Sequence, residues 1–157
     1  MAHGVLEILL VEAHGLPHAD FLHKIDPYVL VYYKGQERKT TIATGQGGNP
    51  RWNKKLKFRA EYPGSGRDYK LTFKVMDHDT FTSDDFLGQT TIHVDDLLSL
   101  GVEKGSYDMR TTKYRLDAAN GNYCGDIKIG VKFTCEAMVD DEDDDDDIGG
   151  WKDSNYE

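Results

Sequence analysis

Short runs in which apolar and polar residues alternate, each closed by a turn signal, commit this chain to β structure. In Val5-Leu6-Glu7-Ile8-Leu9-Leu10-Val11 the side chains of Leu6, Ile8 and Leu10 share one face. Trp52, Leu56 and Phe58 point one way while Lys55, Lys57 and Arg59 point the other. Leu71, Phe73 and Val75 repeat the pattern, as do Ile127, Ile129, Val131 and Phe133, and Tyr28 to Tyr33 is β-branched and aromatic almost throughout. A period of two sends one face to a core and the other to water. Gly47-Gly48-Asn49-Pro50, Pro63-Gly64-Ser65-Gly66 and Asn120-Gly121-Asn122 punctuate the runs. The expectation is an all-β fold of about eight short antiparallel strands in a two-sheet sandwich. Asp95-Asp96-Leu97-Leu98-Ser99-Leu100-Gly101 is the exception. Its acidic N-cap candidates and closing glycine predict one or two helical turns over 95–101.

With 157 residues, 38% hydrophobic and 30% charged, the chain fits one soluble domain with a proper core. No apolar run approaches the ~18 residues of a membrane span, and Met1-Ala2-His3-Gly4 leads straight into a strand pattern with no signal-peptide core. Gly4 is misplaced for myristoylation and the C-terminus lacks a prenylation cysteine. The expectation is a cytoplasmic protein whose membrane contact is peripheral. Cys124 and Cys135 make no disulfide framework and read as reduced thiols on or near one late strand. The net charge of −9 resides in a tail: the acids of 140–147 carry −8, and Lys152, Asp153 and Glu157 together −1, which leaves residues 1–139 at zero. No internal repeat is present, so 1–138 reads as one domain and 139–157 as an acidic tail that like-charge repulsion should keep disordered.

Two loops concentrate aspartate between hydrophobic strands: Asp20 and Asp26 in the first, Asp77, Asp79, Asp84 and Asp85 in the second. Aspartate is a good turn residue, but six in two loops is costly. Like charges ~4 Å apart repel by ~4 kcal/mol at an effective dielectric near 20. A cation between them removes that cost. Carboxylate-rich, loop-borne ligation suits calcium, which takes six to eight oxygens in flexible geometry. Zinc asks for His or Cys at regular spacing, which His14, His18 and His23 near the first loop do not supply. An EF-hand opening at Asp77 fails, with Thr82 at the glycine position and Gly88 at the final glutamate.

The order Leu16, Asp20, Asp26-Pro27-Tyr28-Val29, then Asn49-Pro50-x-Trp52-Asn53, then Asp77-x-Asp79 and Asp85-Phe86-Leu87-Gly88 resembles a C2 domain over about residues 4 to 136. That resemblance implies a metal site made by Asp20, Asp26, Asp77, Asp79 and Asp85, holding two calcium ions or a third besides. Further oxygens could come from Asp84, Thr82 and backbone carbonyls beside Phe21 and His78. A chain that starts with the strand before the first loop and ends with Gly125-Asp126-Ile127-Lys128-Ile129 resembles the permuted (type II) topology. The short layout with a Gly-Gly-Trp-Lys ending is similar to small plant C2 proteins of the elicitor-responsive and sixteen-kilodalton phloem type.

The function implied is calcium-dependent docking on anionic phospholipid, with recruitment from cytoplasm to plasma membrane, in plant calcium and defence signalling. Five ligand carboxylates give the loop end a formal −5, two calcium ions add +4, and a third tips the sum to +1. Phe21, Leu22 and Phe81 sit beside the ligands as membrane-inserting candidates. Lys55, Lys57 and Arg59, with Arg38 and Lys39 on an expected neighbouring strand, form a basic strip that by resemblance would take phosphoinositide. The acidic tail could lie over it. RNA or protein partners are the alternative, with Tyr32, Tyr33 or Tyr62 for base stacking, although a body of zero net charge suits nucleic acid poorly. No nucleophile elbow, phosphate loop or His-Glu-x-x-His helix is present, so neither an enzyme nor a small-molecule substrate is expected.

Overall fold

A computed structural model describes residues 1–17, 25–64, 66 and 68–136. Asp20, Phe21 and Leu22, the domain end at Met138 and the tail 139–157 lie outside the described residues. Eight strands and one helix follow in order: β1 (Ala2–His14), β2 (Pro27–Tyr33), β3 (Gln36–Lys39), β4 (Arg51–Tyr62), β5 (Lys70–Asp77), β6 (Asp85–His93), α1 (Asp95–Lys104), β7 (Ser106–Asp117) and β8 (Tyr123–Cys135). The strands are antiparallel neighbours in the order β3-β2-β5-β6-β7-β8-β1-β4. The ladder narrows to the single pair Gln89↔Asp117 between β6 and β7, which divides it into two four-stranded halves.

Alternation explains how the halves close. Leu6, Ile8 and Leu10 of β1, Leu71, Phe73 and Val75 of β5, and Ile127, Ile129, Val131 and Phe133 of β8 are all buried. Each such side chain stabilises the fold by roughly 1.5–3 kcal/mol relative to exposure. Across the interior Tyr33 of β2 meets Phe58 of β4 edge-on, ring centroids 6.1 Å apart. At the open edge the ladders do not join, and side chains bridge instead. Gln36 Nε2 donates to Arg59 O and its Oε1 accepts from the Arg59 N–H, while Arg38 Nε donates to Lys57 O. The last strand, β8, lies between β7 and β1.

The helix departs from expectation. It runs ten residues to Lys104 rather than ending at Gly101, and Val94, not an aspartate, is its N-cap. Asp95 and Asp96 occupy the first turn, where a negative charge favours the helix dipole. Position 101, inside the helix, favours glycine because a Cβ there would meet Phe133 Cδ2 at 2.4 Å. The glycine that ends the helix is Gly105, at φ 92. No helix among the described residues is long and apolar enough to cross a membrane. Cys124 and Cys135 are free thiols, both on β8.

Candidate calcium and membrane loops

The candidate site forms where β2 begins, β5 ends and β6 begins. Pro27 pairs with Asp77, and Asp77 pairs with Asp85 on its other side. Asp26, Asp77 and Asp85 therefore stand at three adjacent strand ends, about 10 Å from first to last. The Asp26 N–H donates to Asp77 Oδ1 at 2.9 Å, and the His78 N–H returns a bond to Asp26 O at 3.0 Å. The Asp77 carboxyl is held above the usual carboxylate range. Burial is the main cause, the Asp26 N–H opposes it, and the charges of Asp26, Asp85 and Asp79 add to it.

Below these ends the Asn49-Pro50-x-Trp52 motif acts as a clamp. Trp52 Nε1 donates to Pro27 O at 3.1 Å, and Ala43 N–H donates to the same oxygen. Asn49 Oδ1 accepts from Gly15 N–H, Pro50 O from Ala13 N–H and Gly48 O from Leu16 N–H. The end of β1 is thus fixed to the segment before β4. Glu12, a buried acid that the motifs gave no reason to single out, adds an ionic tie: Arg51 pairs with its Oε1, His14 Nε2 lies 2.8 Å and Lys128 Nζ 3.9 Å from its Oε2.

The loop after β5 has its own order. Asp79 Oδ1 accepts from the N–H groups of Phe81 (2.9 Å) and Thr82 (3.3 Å). Those donors, Phe81 first, hold the Asp79 carboxyl below the usual range. The same turn leaves the Phe81 ring 93% exposed. Asp84, a candidate extra ligand, is already hydrogen-bonded through both carboxylate oxygens. Its Oδ2 accepts from Tyr28 OH, and its Oδ1 accepts from Asp79 N–H at 3.0 Å and lies 3.5 Å from His78 Nδ1. The Tyr28 hydroxyl above all keeps that carboxyl low, and the same bond raises Tyr28 to about 12. Thr82 Oγ1 donates to Ser83 O. Tyr28 belongs to the Asp-Pro-Tyr motif, but only the fold shows that its hydroxyl reaches residue 84. Together with Lys39, Lys54 and Ile42, Tyr28 and Asp84 line a cleft of about 490 Å³ beside this loop.

Among the described residues no three His, Cys, Asp or Glu side chains already stand close enough together to hold a metal ion. The donor chemistry nonetheless fits a hard cation. Asp26, Asp77, Asp79 and Asp85 are carboxylates at one end of the sandwich.

The basic residues lie on two edge strands, β3 and β4, that face each other without a shared ladder. The ladder partner of β4 is β1, and that of β3 is β2. Lys55, Lys57 and Arg59 belong to one half of the sandwich and Arg38 and Lys39 to the other, and the halves meet here, where Arg38 Nε donates to Lys57 O. The Arg38 guanidinium also donates to Glu37 O and lies 5.2 Å from the Phe58 ring centre. Tyr33, a proposed base-stacking residue, is only 1% exposed, because inward alternation places it against Phe58. Tyr62 is half-buried against Tyr69, and Tyr32 lies under Lys74.

A family profile described as C2 domain matches residues 4–109. The chain is 52% identical over 158 residues to 16 kDa phloem protein 1 of Arabidopsis thaliana, covering all of both chains. It is 46% identical over 154 residues to elicitor-responsive protein 1 of Oryza sativa subsp. japonica, covering 96% of each. A solved C2 domain-containing protein from an elicitor-responsive gene superposes with a TM-score of 0.67 at 31% identity, covering 88% of this chain and 95% of that one.

Proposed function

The chain belongs to the C2 domain family, and on that premise we propose that its aspartate loops bind calcium and then dock the protein on anionic phospholipid. The observation that carries this reading is the row Asp26, Asp77, Asp85 on three adjacent strand ends, with Asp79 next along the loop. Bound calcium neutralises the carboxylates and accepts phosphate oxygens of lipid. Asp26, Asp77, Asp79 and Asp85, joined by Asp20, are the residues that would hold it. Asp84 positions the loop through Tyr28 and the Asp79 amide rather than ligating.

Phe81 supplies the apolar contact. A ring 93% exposed at a loop tip gains free energy by entering the headgroup boundary once repulsion is relieved. Lys39 and Lys54 on the neighbouring cleft add positive charge on the same end. A relative named elicitor-responsive protein is in keeping with a role in plant calcium and defence signalling, with movement from cytoplasm to plasma membrane.

Co-sedimentation with phosphatidylserine vesicles, with calcium against chelator, tests the reading on the wild type and Asp77→Asn. Pelleting of the wild type alone, and only with calcium, is expected. Equal pelleting in chelator, or none in either condition, would rule the switch out.

A further inference from the structure

Eight carboxylates fall in residues 140–147, and the structure gives both the point from which they start and the surface beside it. The Glu136 N–H donates to His3 O at 2.8 Å, so the chain leaves β8 at the end where β1 begins. There Glu136 shares a cleft with His3, Lys34 and Arg59. Successive rungs across β8, β1 and β4 read Thr134–Val5–Arg59, Lys132–Glu7–Lys57 and Gly130–Leu9–Lys55. Residues between those rungs, Leu6, Ile8, Leu56, Phe58, Val131 and Phe133, are in the core. Alternation therefore turns Lys55, Lys57, Arg59 and Lys132 to the outer face of the sheet. Glu7 sits between two of these lysines, and Asp108 of β7 lies at the far side.

The distances match. Arg59 lies two strand spacings, about 10 Å, from Thr134. Residues 140 and 147 are four and eleven beyond Glu136, so an extended chain carries them up to ~14 and ~38 Å. Acids of the tail can reach every rung from Arg59 to Lys55. A single exposed ion pair contributes little, but a tethered run of eight charges meets the face at millimolar effective concentration.

We infer that residues 140–147 dock on the outer face of β4, β1 and β8 along Lys55, Lys57 and Arg59, and occupy that face against other anions. A phosphate-bearing ligand reaches these cations only by displacing the tail. The contact requires neither calcium nor lipid.

The test uses the full chain with Cys124→Ser, Cys135→Ser and Ile148→Cys, a nitroxide on position 148, and chelator throughout. At low salt the amide signals of Lys55, Lys57 and Arg59 should lose most of their intensity, while those of residues 78–84 at the opposite end keep theirs. Raising salt to ~0.5 M, where the Debye length is about 4 Å, should restore them. Neutralising the tail, each Asp of 140–147 to Asn and Glu142→Gln, should do the same without touching the folded body. Broadening that is uniform, confined to the aspartate loops, or unchanged by the neutral tail would overturn the inference. So would broadening between a nitroxide-bearing copy and an isotope-labelled one, which would make a second molecule the occupant. Failure here leaves the calcium reading standing, since neither calcium nor vesicles are present.

Discussion

The Asp26 N–H donates to Asp77 Oδ1 at 2.9 Å, so one backbone amide ties the first aspartate loop to the strand end that opens the next. Asp77→Asn keeps an oxygen acceptor there and removes one of several repelling carboxylates, whereas Asp77→Ala leaves the amide unpaired. In chelator the Asn variant should melt at or slightly above the wild type. The Ala variant should lose about 1–2 kcal/mol. Calcium should raise the wild-type melting temperature and leave both variants unmoved. A calcium response retained by Asp77→Asn would remove Asp77 from the ligand set.

Tyr33 is almost wholly buried, and its hydroxyl has no hydrogen-bond partner among the described residues. Leaving a buried hydroxyl unsatisfied costs about 1–3 kcal/mol, so Tyr33→Phe should raise stability by about 1 kcal/mol, a few degrees in a thermal melt. Burial also pushes the phenol from its ordinary value of 10.0 to about 12. The unfolded chain then releases this proton first, and stability falls as pH rises from about 10 to 12. Tyr33→Phe should remove that part of the alkaline loss. A destabilised variant would show that the hydroxyl has a partner.

Gly101 packs inside α1 against Phe133. Alanine normally gains about 1 kcal/mol over glycine in a helix, but here its Cβ would meet a fully buried ring. Gly101→Ala should therefore destabilise by about 1–3 kcal/mol through overpacking, read by urea unfolding. A stabilised variant would mean that helix and ring can separate.

Phe81 is almost fully exposed, so Phe81→Ser should leave thermal stability unchanged in chelator. On phosphatidylserine vesicles with calcium the same change should weaken binding on the order of tenfold, from a burial contribution of about 1.5–3 kcal/mol for an apolar side chain. Unchanged vesicle affinity would place the ring outside the bilayer contact.

Alternation alone was enough to identify the core: Leu6, Ile8, Leu10, Trp52, Leu56, Phe58, Leu71, Phe73, Val75, Ile127, Ile129, Val131 and Phe133 are all buried. A side-chain period of two is a local property, readable one strand at a time. Helix ends were less legible, because Gly101 reads as a helix terminator by propensity, whereas its lack of a Cβ serves close packing on Phe133, thirty-two residues away. The aspartates of the candidate site could be seen as a set because their spacing survives in one dimension. Their division of labour could not: Asp84 bonds Tyr28, fifty-six residues earlier, and no spacing announces that.

By itself the sequence determined a β-sandwich with two acidic loops, since pattern and charge are written residue by residue. Tertiary structure decided which strands are neighbours. It put β3 and β4 on facing edges without a shared ladder, buried Tyr33, and brought Asp26, Asp77 and Asp85 onto adjacent strand ends. Strand order depends on how two apolar faces close over each other, and that is settled by contacts between residues far apart in the chain.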